Sequence, residues 1–324
     1  MTAAARARVA VALVVAVGIV AAVAAIRLAG SDGDGVVADP VPDDTLSAAG
    51  TALPDGFAVA EGSSLVGPVV VEEVDGRGEP TSWWALLLVE GDPIDVWMAY
   101  ARQVAERFPG ERIDPSQAPG CLAGDTGDGE LCALGADTVD GTREARAHAR
   151  LVSVPGDVTG SYLLTLSAAT ETRAVEGYDI YEGGGDPWSG EDLPAPVEPR
   201  DRPGVGDPLA PATAAYDGDD ERYVLLVGSE LIAQYGAGSV TGGFDLLLRV
   251  APGADVGAVA RAYAEQANQI EGEPIPPPEV VEHDGTTFTT YHPPGGAGGY
   301  TGEVIAVDQP GDADDYIRYE LYND

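Results

Sequence analysis

The chain has 324 residues, with 17 arginines, no lysine, 54 aspartates and glutamates, three histidines, two cysteines and a formal net charge of −37. The length suits about two domains, and 44% apolar residues suffice for ordinary cores, which excludes wholesale disorder. The missing lysine excludes a Walker phosphate loop, a Ser-x-x-Lys nucleophile, a pyridoxal Schiff base and the protein-kinase lysine, and the negative charge speaks against nucleic acid and anionic lipid surfaces as partners.

The first predicted element is a membrane anchor within residues 1–29. Between Arg8 and Arg27 runs an uncharged apolar stretch, Val9 to Ile26, which as a helix spans about 27 Å, close to the thickness of a bilayer core. Arg6 and Arg8 before it favour a cytoplasmic N-terminus and an extracytoplasmic remainder. A cleavable secretory signal, cut after small residues such as Ala22 and Ala24, is the competing reading and would make the protein secreted. No cysteine follows the run closely, so a lipoprotein anchor is excluded. Residues 30–53, rich in Gly, Asp, Pro and Ala, read as a flexible stalk without a core.

Residues 54–172 read as a first α+β module. Gly62-Ser63-Ser64-Leu65 leads into an extended segment, and Trp83 to Val89 forms a strand. Asp92-Pro93 then opens a helix, with the aspartate as cap and the proline where its missing N–H costs nothing. Apolar residues at 97, 100, 101, 104 and 108 make its inner face, and Pro109-Gly110 ends it. Cys121 and Cys132 bound a glycine-rich acidic loop; outside the membrane the economical inference is a local disulfide, contributing on the order of 3 kcal/mol. Asp140-Gly141-Thr142 and Pro155-Gly156-Asp157 mark hairpin turns between the last three strands.

Residues 173–220 form a Pro/Gly/Asp-rich linker with seven prolines between 187 and 211. Residues 221–324 read as a second module in the same order. Gly228-Ser229-Glu230-Leu231 is extended, Phe244 to Val250 is a strand, and a helix begins near Asp255-Val256. The turns at Asp284-Gly285-Thr286 and Pro310-Gly311-Asp312 follow. The runs Leu86-Leu87-Leu88 and Leu246-Leu247-Leu248 lie 160 positions apart, as do Asp95-Val96 and Asp255-Val256, although the helix faces match better one residue closer. The predicted fold is therefore α+β: two tandem, duplicated modules of order ββαβββ, each an antiparallel sheet with one helix on a face, behind a single N-terminal transmembrane helix.

No motif assigns an activity. Gly-x-Ser-x-Gly and His-Glu-x-x-His are absent, and both cysteines are committed to the bridge. Acidic clusters at Asp125, Asp128 and Glu130, at Asp217 to Glu221 and at Asp312 to Asp315 are of a type that holds calcium, but none follows the EF-hand pattern; no cofactor is assigned. Trp83 and Trp84 are candidates for a binding surface, and as neighbours on a strand they face opposite sides. These features point to a non-catalytic, membrane-anchored extracytoplasmic protein that binds or scaffolds an envelope protein or polymer. The alternatives are an exported hydrolase with a carboxylate pair in an inter-module cleft, and a calcium-dependent adhesion element.

Overall fold

The computed structural model describes residues 41–107, 130–139, 144–152, 161–171, 201–209, 223–235, 243–268, 270, 273–295 and 300–323. The expected membrane anchor lies outside these, and among the described residues no helix is long and apolar enough to cross a membrane. Residues 38–324 form one compact unit. In chain order its elements are β1 (Leu46–Ser47), β2 (Ser63–Val74), β3 (Pro80–Val89), α1 (Pro93–Arg107), β4 (Glu130–Val139), β5 (Glu144–Val152) and β6 (Leu163–Glu171). There follow β7 (Ser229–Tyr235), β8 (Gly243–Val250), α2 (Val256–Ala267), β9 (Glu279–His283), β10 (Thr286–Tyr291), β11 (Tyr300–Asp308) and β12 (Tyr316–Asn323).

Both helices start on an aspartate cap. Asp92 Oδ1 accepts from the amides of Ile94 and Asp95 at 3.0 and 3.2 Å, and Asp255 Oδ1 accepts from Ala258 N at 3.0 Å. A side-chain oxygen here satisfies donors that the helix itself leaves open. The apolar positions recur at three- and four-residue spacing: Val96, Trp97, Tyr100, Ala101 and Val104 are buried in α1, and Val256, Ala260, Tyr263, Ala264 and Ala267 in α2. The β9–β10 connection turns on Asp284 and Gly285, with φ of 50° and 81°. Two consecutive left-handed residues are what a tight hairpin requires of an Asp-Gly pair.

The strands make two antiparallel six-stranded sheets, ordered β1-β2-β3-β6-β5-β4 and β7-β8-β12-β11-β10-β9. The class is α+β. The first half follows ββαβββ with the two-residue β1 added; the second has four strands after its helix, because β9 adds an outer edge beyond β10. Residues 41–53, read from composition as the end of a stalk, join the fold: Val41, Thr45 and Leu53 are buried and β1 pairs with Leu65 and Val66. Within the stretch read as linker, Leu209 is buried and Arg202 donates to the Leu231 carbonyl. Composition gives flexibility only where no apolar residue finds a core, and these residues find one.

Among the described residues, buried side chains occupy both faces of the inner strands of each sheet. On β3, Trp83, Ala85 and Leu87 point toward α1, while Trp84 and Leu86 point the other way. On β12, Ile317, Tyr319 and Leu321 face α2, and Tyr316, Arg318 and Glu320 face away from it. The away-facing sides meet: Arg318 lies over the Trp84 ring at 4.6 Å, and one core joins Val66, Val70 and Leu86 with Leu247, Phe288, Ile305 and Val307. The layers are thus helix, sheet, sheet, helix. Gly67, with φ of +65°, sits where the sheets approach closely; a Cβ there would stand 3.0 Å from Leu247 and 3.3 Å from Tyr316, so a side chain would hold the sheets apart.

The two halves share a hydrogen-bonded node. Tyr100 Oη accepts from Ala60 N and bonds Ser63 Oγ, which donates to Ala60 O, at 3.0, 2.8 and 2.9 Å. Tyr263 Oη does the same with Leu226 N and Ser229 Oγ, which donates to Leu226 O, at 2.9, 2.6 and 2.9 Å. One turn further along each helix, Gln103 and Gln266 donate to the carbonyls of Ala58 and Val224. Upstream, Leu53 N and Leu209 N bond Phe57 O and Tyr223 O. Burial raises the pKa of both phenols, so each stays protonated as a donor. Removing either hydroxyl leaves a backbone amide without its acceptor and takes one partner from a serine that keeps its bond to a carbonyl, so Tyr100→Phe and Tyr263→Phe are each expected to cost about 1–3 kcal/mol in urea unfolding, by similar amounts. A loss in only one of the two variants would show that the nodes are not equivalent.

Candidate functional site

Two features stand at the meeting of the sheets. The first is an ion cluster centred on Arg318, whose side chain is 7% exposed. Its Nη1 lies 2.7 Å from Glu72 Oε1 of the first sheet and 3.5 Å from Glu303 Oε1. Its Nη2 lies 2.6 Å from Glu320 and 3.3 Å from Asp245. One guanidinium therefore serves four carboxylates. Burial pushes the Glu303 carboxyl up to about 7; Arg318 opposes the rise, and Glu72, Glu320 and Asp245 add to it. Beside the cluster is a cavity of about 180 Å³ bounded by Glu72, Ser82, Trp84, Ser167 and Arg318.

The second feature is a groove of about 1410 Å³ between β1, β2 and the β2–β3 turn on one side and the β9–β10 and β11–β12 turns on the other. Leu46, Leu65, Val69 and Phe288 give it an apolar lining, and Asp44, Asp55, Glu79, Glu282, Asp284, Asp312 and Asp314 surround it with carboxylates against Arg77 and His283. Part of this rim is tied down. Arg249 reaches Asp44 at 2.9 Å, Glu230 at 2.8 Å and Asp314 at 3.6 Å. Burial works against its charge, but the bonds to Glu230 and Asp44 prevail and raise its pKa. His283 Nδ1 lies 3.0 Å from Gly78 O and joins the two turns. At the end of the groove Tyr316 is pushed up to about 12, by burial first and then by Asp314.

The tryptophans do not form an exposed platform. Trp83 is fully buried; its Nε1 donates to Asp55 at 2.7 Å and its ring meets Phe57 edge-on at 5.5 Å. Trp84 is buried beneath Arg318. The strand alternation that places them on opposite faces holds, but both faces are covered. Cys132 pairs with Leu151 in the β4–β5 register, while Cys121 lies outside the described residues, as do Asp125, Asp128 and the cluster from Asp217 to Glu221. In the third acidic cluster, Asp315 accepts from Gln309 N. Among the described residues no group of three or more His, Cys, Asp or Glu is arranged to hold a metal.

No family model matches the chain, and neither curated proteins nor solved structures provide a match.

Proposed function

We propose that this is a non-catalytic, membrane-anchored binding or scaffolding protein of the cell envelope, tethered by Val9 to Ile26 with the folded unit outside. The observation that carries the binding reading is the large, apolar-lined, acid-rimmed groove where the halves meet. Its size exceeds the roughly 300–1,000 Å³ of ordinary small-molecule pockets, which favours a macromolecular partner. The exported residues, with 14 arginines against 54 acids, repel anionic surfaces and attract basic ones. The two halves derive from duplication of one module, a reading supported by the repeated Tyr-Ser-Gln bonding and the aspartate caps. Cys121 and Cys132 form a disulfide that stiffens the first module alone.

The test is photo-cross-linking in the native envelope from Thr286 in the groove, with Arg261 on the outer surface of α2 as control. Capture of an envelope component from position 286 and not from 261 is the expected result. No capture, together with cleavage of an envelope polymer by the purified protein, would overturn the proposal. A carboxylate hydrolase draws on one specific observation, the Glu303 carboxyl held near 7 among three other carboxyl groups, a pattern that suits a general acid; loss of such cleavage in Glu303→Gln would favour it.

A further inference from the structure

We propose that the groove seats a basic juxtamembrane segment of a second membrane protein, where that segment leaves the lipid on the extracytoplasmic side. This deepens the binding reading above and rests on it.

The tether enters the fold at the groove itself. Residues 41–47 form a strap that belongs to the folded unit: Val41 and Thr45 are buried, Asp44 reaches Arg249 at 2.9 Å, and Leu46 and Ser47 pair with Val66 and Leu65. Asp44 to Ser47 also make one wall of the groove. Fourteen residues, 27–40, separate this strap from Ile26 at the end of the apolar run, and a chain of that length spans at most about 50 Å even when fully extended. An anchor in that run therefore confines the groove to a layer next to the bilayer. A partner anchored in the same membrane shares that layer and meets the groove at an effective concentration that a free one lacks.

Charge selects the occupant. Three hairpins deliver exposed carboxylates to one mouth: Glu79 from β2–β3, Glu282 from β9–β10 and Asp312 from β11–β12. Asp44 and Asp314 are already held by Arg249, whereas these three carry no such clamp among the described residues. The basic groups lining the groove are Arg77 and His283, and His283 is engaged by Gly78 O at 3.0 Å and Asp284 at 3.5 Å. Leu46 and Val69, both half-buried, offer contact to an apolar residue of the occupant. Charge also excludes the chain's own tether, because residues 30–40 hold Asp32, Asp34 and Asp39 and no basic residue, and it repels anionic headgroups. What fits is a short run of arginine or lysine interspersed with apolar residues, the composition found where a transmembrane helix meets the interface.

The experiment places the full chain in phosphatidylcholine nanodiscs, with a photo-cross-linker at position 286, at roughly physiological salt, where exposed charges are screened beyond about 8 Å. The probe is a fluorescein-labelled Arg-Leu-Arg-Arg-Leu-Arg peptide. It is used free, joined directly to a doubly acylated lipid anchor, or joined to that anchor through a spacer of about thirty Gly and Ser residues. Free peptide is expected to bind about tenfold or more weakly when Glu282→Arg and Asp312→Arg are combined. It is expected to stay within about twofold when Glu106→Arg on α1 and Glu265→Arg on α2 are combined, an equal change in net charge at exposed positions where single charges matter little. The directly anchored peptide is expected to cross-link from position 286 at least as well as the spaced one. Equal weakening by both pairs would mean unspecific attraction and overturn the proposal. So would cross-linking of the spaced peptide alone, which would put the groove beyond a juxtamembrane segment, or cross-links in the free protein between position 286 and its own residues 30–40. If the native envelope yields a capture from position 286 while neither anchored peptide cross-links, the juxtamembrane occupant fails and the binding reading stands. If that capture fails as well, both fall.

Discussion

Replacing Arg318 with methionine is expected to destabilise the folded unit by about 3–5 kcal/mol, the usual cost of removing one partner from a buried ion network. The methylene stem of methionine fills much of the same volume, so packing against Trp84 is largely kept and the loss reports the charge. Asp245, 5% exposed, and Glu72, Glu303 and Glu320, all below one-third exposed, would then face one another without a cation. Glu72 comes from the first sheet and the other three acids from the second, so the repulsion acts across the junction. Chemical unfolding at pH 8 is the measurement. Adding Glu72→Gln to Arg318→Met should recover part of the loss, because the two positions are coupled and not additive. Arg318→Lys should fall between, since an ammonium cannot reproduce the planar fork that reaches several carboxylates at once. A loss under about 1 kcal/mol, typical of an exposed pair, would show that the cluster does not hold the sheets together.

Much of the local structure was legible because it depends on near neighbours. Asp92-Pro93 caps α1 as its residue types dictate, and Asp284-Gly285 turns a hairpin for the same reason. The phase between the halves was not. Three identical leucines carry no register, and matching Leu86-Leu87-Leu88 to Leu246-Leu247-Leu248 at 160 positions slips by one. In the structure Ser63 pairs with Val89 and Ser229 with Val250, so Val89 corresponds to Val250 and Leu87 to Leu248, 161 positions apart. A slip of one exchanges the faces of a strand; it would set Leu87, which faces its helix, against Leu247, which faces the other sheet. The capping aspartates, Asp92 and Asp255, are likewise 163 apart, so Asp95 is not the counterpart of Asp255.

The candidate site was less legible still. Tyr316 to Leu321 alternates in a way that normally means one face in the core and one in water. Period two states which residues share a face, not what covers it, and here a second sheet covers the polar face. Arg318 and Glu72 meet across 246 positions, a separation no spacing rule spans. The groove is assembled from residues within 44–80 and within 282–316; Asp284-Gly285 and Pro310-Gly311-Asp312 mark turns there, but a turn signal does not say which strand the turn will face. A sign was present in the strand itself: Asp245 lies beside Leu246-Leu247-Leu248, and a charge next to a continuous apolar run marks a strand covered on both sides, whose ion must be paired.

Glu303 gives the second large effect, through pH. Its carboxyl stands at about 7 in the folded protein against an ordinary value of 4.5. Between those values the folded state holds a proton that the unfolded state has released, so unfolding releases it. Stability from this group is therefore greatest below pH 4.5, falls as pH rises through the window from 4.5 to 7, and is constant above it. At 1.36 kcal/mol per pH unit the full fall is on the order of 3 kcal/mol. Glu303→Gln removes the charge while keeping the shape and leaves Arg318 three carboxylates. The variant is thus expected to match the wild type near pH 4.5 and to exceed it by up to about 3 kcal/mol near pH 8. Other carboxylates titrate in the same range, so the measured quantity is the difference between the two proteins across a series of chemical unfolding curves. A difference that does not change with pH would mean that Glu303 ionises as an ordinary exposed carboxylate. A variant less stable than wild type at pH 8 would mean that Arg318 needs four anions, and that the cluster stabilises the folded protein by attraction more than it costs by repulsion and burial.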